Sequence, residues 1–160
     1  MSSGLWSSIL WVIGACAIGF AVSAIFAGGL KLSRRQFLIP YVAIVSIFLY
    51  SFTMRKEIDI AAIFTHNWAW GILAGGLLCL YLVRTVRAQP ATRHSSGASL
   101  ALDMAWAGLV YGMLDALFLN IMPVITVWIG MAQFTWAATL ARKIGIGFIS
   151  LIASLLVTLT

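Results

Sequence analysis

Between Ala98 and Ala141 the chain reads ASLALDMAWAGLVYGMLDALFLNIMPVITVWIGMAQFTWAATLA, an apolar run in which Asp115 stands as a carboxylate well inside. Water cannot be the solvent for such a run. A single continuous helix over it would be about 60 Å long at 1.5 Å per residue, twice the roughly 30 Å hydrocarbon core of a bilayer. Asn120 and Pro123 offer a break near its middle, because proline suits the first turn of a new helix. The expectation is therefore a helical hairpin over 99–141, closed at Asn120 and Pro123.

The rest of the chain fits the same solvent. It is 62% hydrophobic and 9% charged. A domain of this size leaves much of its surface in water and could not hide that much apolar area. Apolar stretches suggest six spans, at about 5–30, 36–54, 60–83, 99–119, 123–141 and 144–160, each near the 20 residues a helix needs to cross. No period-two alternation marks barrel strands. The expected fold class is all-α, a polytopic transmembrane helical bundle forming one integral-membrane domain. The N-terminus lacks a basic n-region, so a cleaved signal peptide is not expected. The last apolar stretch stops at Thr160 without a polar tail, which is equally compatible with a fragment of a longer chain.

The net charge of +6 would point to nucleic acid in a soluble protein. Here the basic residues sit between apolar runs and read as topology signals. Six spans place Lys31, Arg34, Arg35, Arg84, Arg87, Arg93, Arg142 and Lys143 on one side, and only Arg55 and Lys56 on the other. That predicts both termini outside, the 84–98 loop in the cytoplasm, and a plasma (inner) membrane location. The expected partner is the lipid bilayer, with a membrane-protein partner or a second copy meeting small-residue faces, and no nucleic acid.

Small residues four apart mark those faces: Ala15, Gly19, Ser23 and Ala27; Gly71 and Gly75; Gly108 and Gly112; Thr126 and Gly130; Ser150 and Ser154. Helices in lipid associate by close packing at such residues and by polar contacts.

An ionisable group inside a span is costly and points to function. In the six-span threading, Asp115 and His66 each lie about six residues, roughly 8 Å, outward of their span centres. Asn67, Tyr111 and Asn120 fall near the same layer. Together they suggest an outward-facing polar pocket for a ligand or proton. The leading reading is a small transport-type or accessory membrane protein. The alternatives are an intramembrane enzyme with Asp115 and His66 as acid and base, and a structural subunit of a larger complex. A packing contact is the bland role for Asp115.

Two ligands are too few for a zinc site. Cys16 and Cys79 sit in apolar runs without metal spacing. One interior histidine is poor evidence for a haem or pigment, so no cofactor is assigned. Catalytic motifs such as GxSxG, HExxH and the P-loop are absent.

Overall fold

The structure, a computed structural model, describes residues 3–88, 97–132, 134 and 139–160. Among them there is no strand. Helix α1 is Ser3–Val22 and runs on through the wide π turns of Ser23–Gly29. Helix α2 is Arg34–Lys56 and α3 is Ile60–Arg87. Helix α4 is continuous over residues 98–132, passing through π stretches at Met104–Val110 and Ala116–Ile121. Helix α5 is Leu140–Thr158. Four stretches are long and apolar enough to cross a membrane: Gly4–Gly29, Gln36–Lys56, Leu100–Ala132 and Leu140–Thr158. A shorter apolar stretch, Gly71–Thr85, lies within α3. The chain is thus consistent with a multi-pass membrane protein; four candidate spans stand among the described residues where six were expected.

The main correction concerns the hairpin. The chain does not turn at Asn120 and Pro123; α4 passes straight through. Proline in a helix interior removes the N–H that would reach the carbonyl four residues back, here that of Leu119. An unsatisfied carbonyl costs several kcal/mol in hydrocarbon. The neighbouring helix supplies the missing donor: Ser154 Oγ of α5 donates to the Leu119 carbonyl at 2.7 Å. Pro123 itself is buried. The sequence pattern could not show this, because the compensating hydroxyl lies 35 residues away.

The bundle core gathers Ala15 and Val22 of α1, Tyr41, Val45 and Phe52 of α2, Phe118 and Met122 of α4, and Val157 of α5. Trp11 packs edge-on against Phe48 and Phe52, with ring centroids 5.1 and 5.3 Å away. Small residues set the closest approaches. A Cβ on Gly130 would lie 3.0 Å from both side-chain atoms of Ser8, so α1 and α4 cross there nearly backbone to backbone. The Ser8 hydroxyl is buried in that crossing without a hydrogen-bond partner among the described residues.

Other small-residue pairs do not pack. Around Gly71, Gly75, Gly108 and Gly112, nothing among the described residues lies within 4 Å of where a Cβ would be. The described side chains of α3 are all exposed. The molecule is therefore a tight group of α1, α2, the C-terminal part of α4, and α5, beside more loosely attached segments. Large exposed apolar side chains such as Phe20 (64%), Leu80 (70%) and Phe148 (65%) cover the outside. Such a surface is stable against acyl chains and would aggregate in water.

These contacts also fix the direction of each helix. The start of α1 meets Gly130 near the end of α4, while Gly19, near the other end of α1, meets Thr160. Lys56 Nζ, at the end of α2, donates to Ser7 Oγ at 3.0 Å. The two chain ends thus lie at opposite ends of the bundle, instead of the same side as the six-span threading requires. Arg142 and Lys143, at the start of α5, join Arg55 and Lys56 at one end. Lys31, Arg34 and Arg35 mark the other, and α3, which starts at the first end, carries Arg84 and Arg87 away from it along its 28 residues. The apparent eight-to-two charge bias thus loses Arg142 and Lys143 to its minority side.

Two outcomes are expected. Ser154→Ala should cost about 1–2 kcal/mol by leaving the Leu119 carbonyl unpaired, measured by thermal unfolding in detergent. In a Pro123→Ala background, where the backbone regains its own N–H at that position, the same change should cost less than half as much; equal costs in both backgrounds would disprove the compensation. In a chain cleared of Cys16 and Cys79, cysteines at Glu57 and Thr139 should react with an impermeant reagent from one side, and a cysteine at Ser33 from the other. Thr139 reacting together with Ser33 would restore the six-span threading.

Candidate functional site

The site grows from Tyr41, two turns into α2. The first turn of α2 is set by Gln36, whose Oε1 accepts from the Ser33 N–H (3.2 Å) and the Ser33 hydroxyl (2.8 Å), an arrangement that holds helix N-termini. Pro40 fixes its own φ just before the tyrosine and gives up its helical N–H. Tyr41 then points inward and is only 6% exposed. Its hydroxyl donates to Asp115 Oδ1 at 2.6 Å, a short bond of the kind a carboxylate acceptor makes.

Two further rings frame the pair. Phe37 stacks on Tyr41 with centroids 5.6 Å apart. Tyr111, one turn before Asp115 on α4, lies tilted against Tyr41 at 5.3 Å. The carboxylate thus sits among a phenol that binds it, a second phenol, and apolar core. Asp115 is itself only half-buried. It ends the short α-helical piece Tyr111–Asp115, with a π stretch on each side. Single π turns inside α-helices recur at functional sites because they redirect side chains and free backbone groups.

The structure divides the residues expected to form one pocket. Asp115 and Tyr111 come together, joined by Tyr41. Asn120 belongs elsewhere: its Oδ1 lies 3.1 Å from Ser154 Oγ of α5, the longer of two acceptor contacts of a hydroxyl whose one proton goes to the Leu119 carbonyl at 2.7 Å. Asn120 therefore sits beside the Pro123 compensation and does not touch the Tyr41–Asp115 pair. The shared outward layer includes His66 and Asn67, which fall on α3 and whose side chains lie outside the described residues. The place of Asp115 in that layer rested on a hairpin that does not form, and Asp115 now lies at the middle of the Leu100–Ala132 stretch. It pairs with a residue five positions into the Gln36–Lys56 stretch, about 8 Å from the Gln36 end. That is the end opposite Arg55, Lys56, Arg142 and Lys143.

Sequence reading missed Tyr41. It stands in the run FLIPYVAIV, where a tyrosine looks like any apolar-phase aromatic. A signal was available: a buried phenol needs a hydrogen-bond partner, and Asp115 was the deep acceptor waiting for one.

A cavity of about 710 Å³ lies away from this pair, between the C-terminal half of α2, the first part of α3 and residues 117–125 of α4. Phe52, Trp68, Ile72, Leu117 and Met122 are among its lining residues. Its walls are apolar and suit hydrocarbon. Among the described residues no group of three or more His, Cys, Asp or Glu is arranged to hold a metal ion.

Tyr41→Phe should cost about 1–2 kcal/mol, the range between polar contacts measured in membrane bundles and hydrogen bonds to charged groups. Tyr111→Phe should cost less, because Tyr41 already supplies the close donor. Unfolding in detergent that ranks the two the other way would place the essential donor on Tyr111.

Compared with known proteins, the chain matches no family model, no curated protein and no solved structure.

Proposed function

We propose that the protein is a small transport-type or accessory protein of the cell membrane in which Asp115 is a proton- or cation-responsive site. The observation that carries this reading is the 2.6 Å bond from the buried Tyr41 hydroxyl to Asp115 Oδ1 in the middle of a membrane-length helix. A carboxylate kept at that depth works against stability, and packing alone could be served by an amide or a hydroxyl. The phenol gives the charged form one strong donor. The half-exposed state of Asp115 leaves its other oxygen positions for a proton, a cation or water. Protonation would weaken the bond from Tyr41, and so couple the carboxylate to the contact between α2 and α4.

The orientation proposed puts the end carrying Lys31, Arg34 and Arg35 toward the cytoplasm. With α3 crossing as well, Arg84 and Arg87 join Lys31, Arg34 and Arg35 there, five basic residues against four, and basic residues favour the cytoplasmic side. Asp115 is then reached more readily from the cytoplasmic half than from outside.

Asp115→Asn should abolish proton- or cation-coupled flux in proteoliposomes while the purified protein keeps its helix content and unfolding temperature within a few degrees. Tyr41→Phe should reduce flux. Wild-type flux in Asp115→Asn would leave only the packing role.

A further inference from the structure

The opposite end of α2 carries a second feature, independent of Asp115. A groove of about 410 Å³ runs along the outside of the bundle between α1 and α2. Its floor is apolar: Trp11 and Ile18 come from α1, Ile44 and Phe48 from α2. Its upper end closes on Ser51 and Arg55. From Ile44 to Arg55 is eleven residues, about 16 Å along the helix. That is close to half the roughly 30 Å hydrocarbon core, the depth of one leaflet. Arg55 sits at the end of the Gln36–Lys56 stretch, at headgroup level.

The polar groups at this end have divided roles. Lys56 is half-buried and committed to Ser7 across the α1–α2 contact. The Ser51 hydroxyl donates to the Ile47 carbonyl at 2.8 Å. Arg55 is exposed, and no hydrogen bond or ion pair within the described residues holds it. Its guanidinium offers five donors in a planar fork that fits a phosphate. A leaflet-deep apolar groove topped by an uncommitted arginine is complementary to one molecule of the surrounding solvent. We infer that this groove is a binding site for an anionic phospholipid, with the phosphate on Arg55 and one acyl chain along Trp11, Ile44 and Phe48. A zwitterionic lipid fits the floor equally well. Its headgroup cation would offset the attraction of Arg55, so selectivity for net negative charge comes from that residue.

The inference rests on the membrane-spanning reading of α2 and not on the role of Asp115. Native mass spectrometry of the full chain in detergent, with phosphatidylglycerol and phosphatidylcholine of matched acyl chains, tests it. Wild type should retain the anionic lipid about fivefold over the zwitterionic one, the advantage expected of one cation at a membrane surface. Arg55→Gln should bring the ratio near one, whereas Lys143→Gln, at the same end of the bundle, should leave it unchanged. Ile47→Trp, which narrows the groove from an exposed position, should lower retention of both lipids, and it tests the site even where Arg55→Gln does not fold. Millimolar inorganic phosphate should not displace the lipid. An unchanged preference in Arg55→Gln, an equal loss in Lys143→Gln, unchanged retention in Ile47→Trp, or displacement by phosphate would each overturn the site.

Discussion

A hydroxyl-to-carbonyl bond between α5 and α4 lies where α4 runs on through Pro123. Pro123 leaves the Leu119 carbonyl without its helical donor, in a medium that offers no water. Ser154 provides the donor from α5. With that carbonyl satisfied, α4 can continue as one helix past the proline. The consequences spread from there. The continuous helix sends the chain to the far end of the bundle, reverses the direction expected for α5, and puts Arg142 and Lys143 beside Arg55 and Lys56. It also moves Asp115 from the edge of a short span to the middle of a long one. Asn120 is drawn into the same arrangement through Ser154.

Packing in the tight part of the bundle follows the rules of a lipid solvent. Burying apolar surface against a neighbouring helix gains little when the alternative is acyl chain. The contacts that matter are close backbone approach and polar pairing. Gly130 against Ser8 is the first kind. Lys56 with Ser7, Ser154 with Leu119, and Tyr41 with Asp115 are the second. The buried Ser8 hydroxyl, unpaired among the described residues, is the cost of placing a small residue at the crossing. Where neither kind of contact is made, as along α3 and the first turns of α4, the helices stand with their side chains exposed.

The two ends of α2 carry different chemistry on one rigid helix. Near its start, Tyr41 binds a carboxylate within the span. At its end, Arg55 caps an apolar groove at headgroup level. The first arrangement pairs a half-buried carboxylate with a phenol inside a membrane-length helix. The second places charge where lipid phosphates already are. Lys56, adjacent to Arg55, shows that position along the helix does not set the role. It is the face on which each side chain emerges: one turns toward α1, the other toward the bilayer.

The sequence alone pointed to an apolar solvent and the all-helical class, and it singled out Asp115 as a costly carboxylate in an apolar run. These follow from composition and run length, which are local properties, and from the cost of a carboxylate in hydrocarbon. It also singled out Tyr111, which sits one helical turn from Asp115 by spacing alone. It misplaced the threading, because Asn120 and Pro123 are a turn signal whenever the carbonyl behind the proline goes unpaired. Whether that carbonyl finds a donor depends on a residue of another helix. The same holds for Tyr41, which sequence reading passed over because the hydrogen bond to Asp115 spans 74 positions. Small-residue spacing marked possible contact faces; only the tertiary arrangement separated those that touch, at Gly130 and Ser154, from those that face outward, at Gly75 and Gly108. Local pattern reports what a helix can offer, and the neighbour that accepts the offer exists only once the helices have packed.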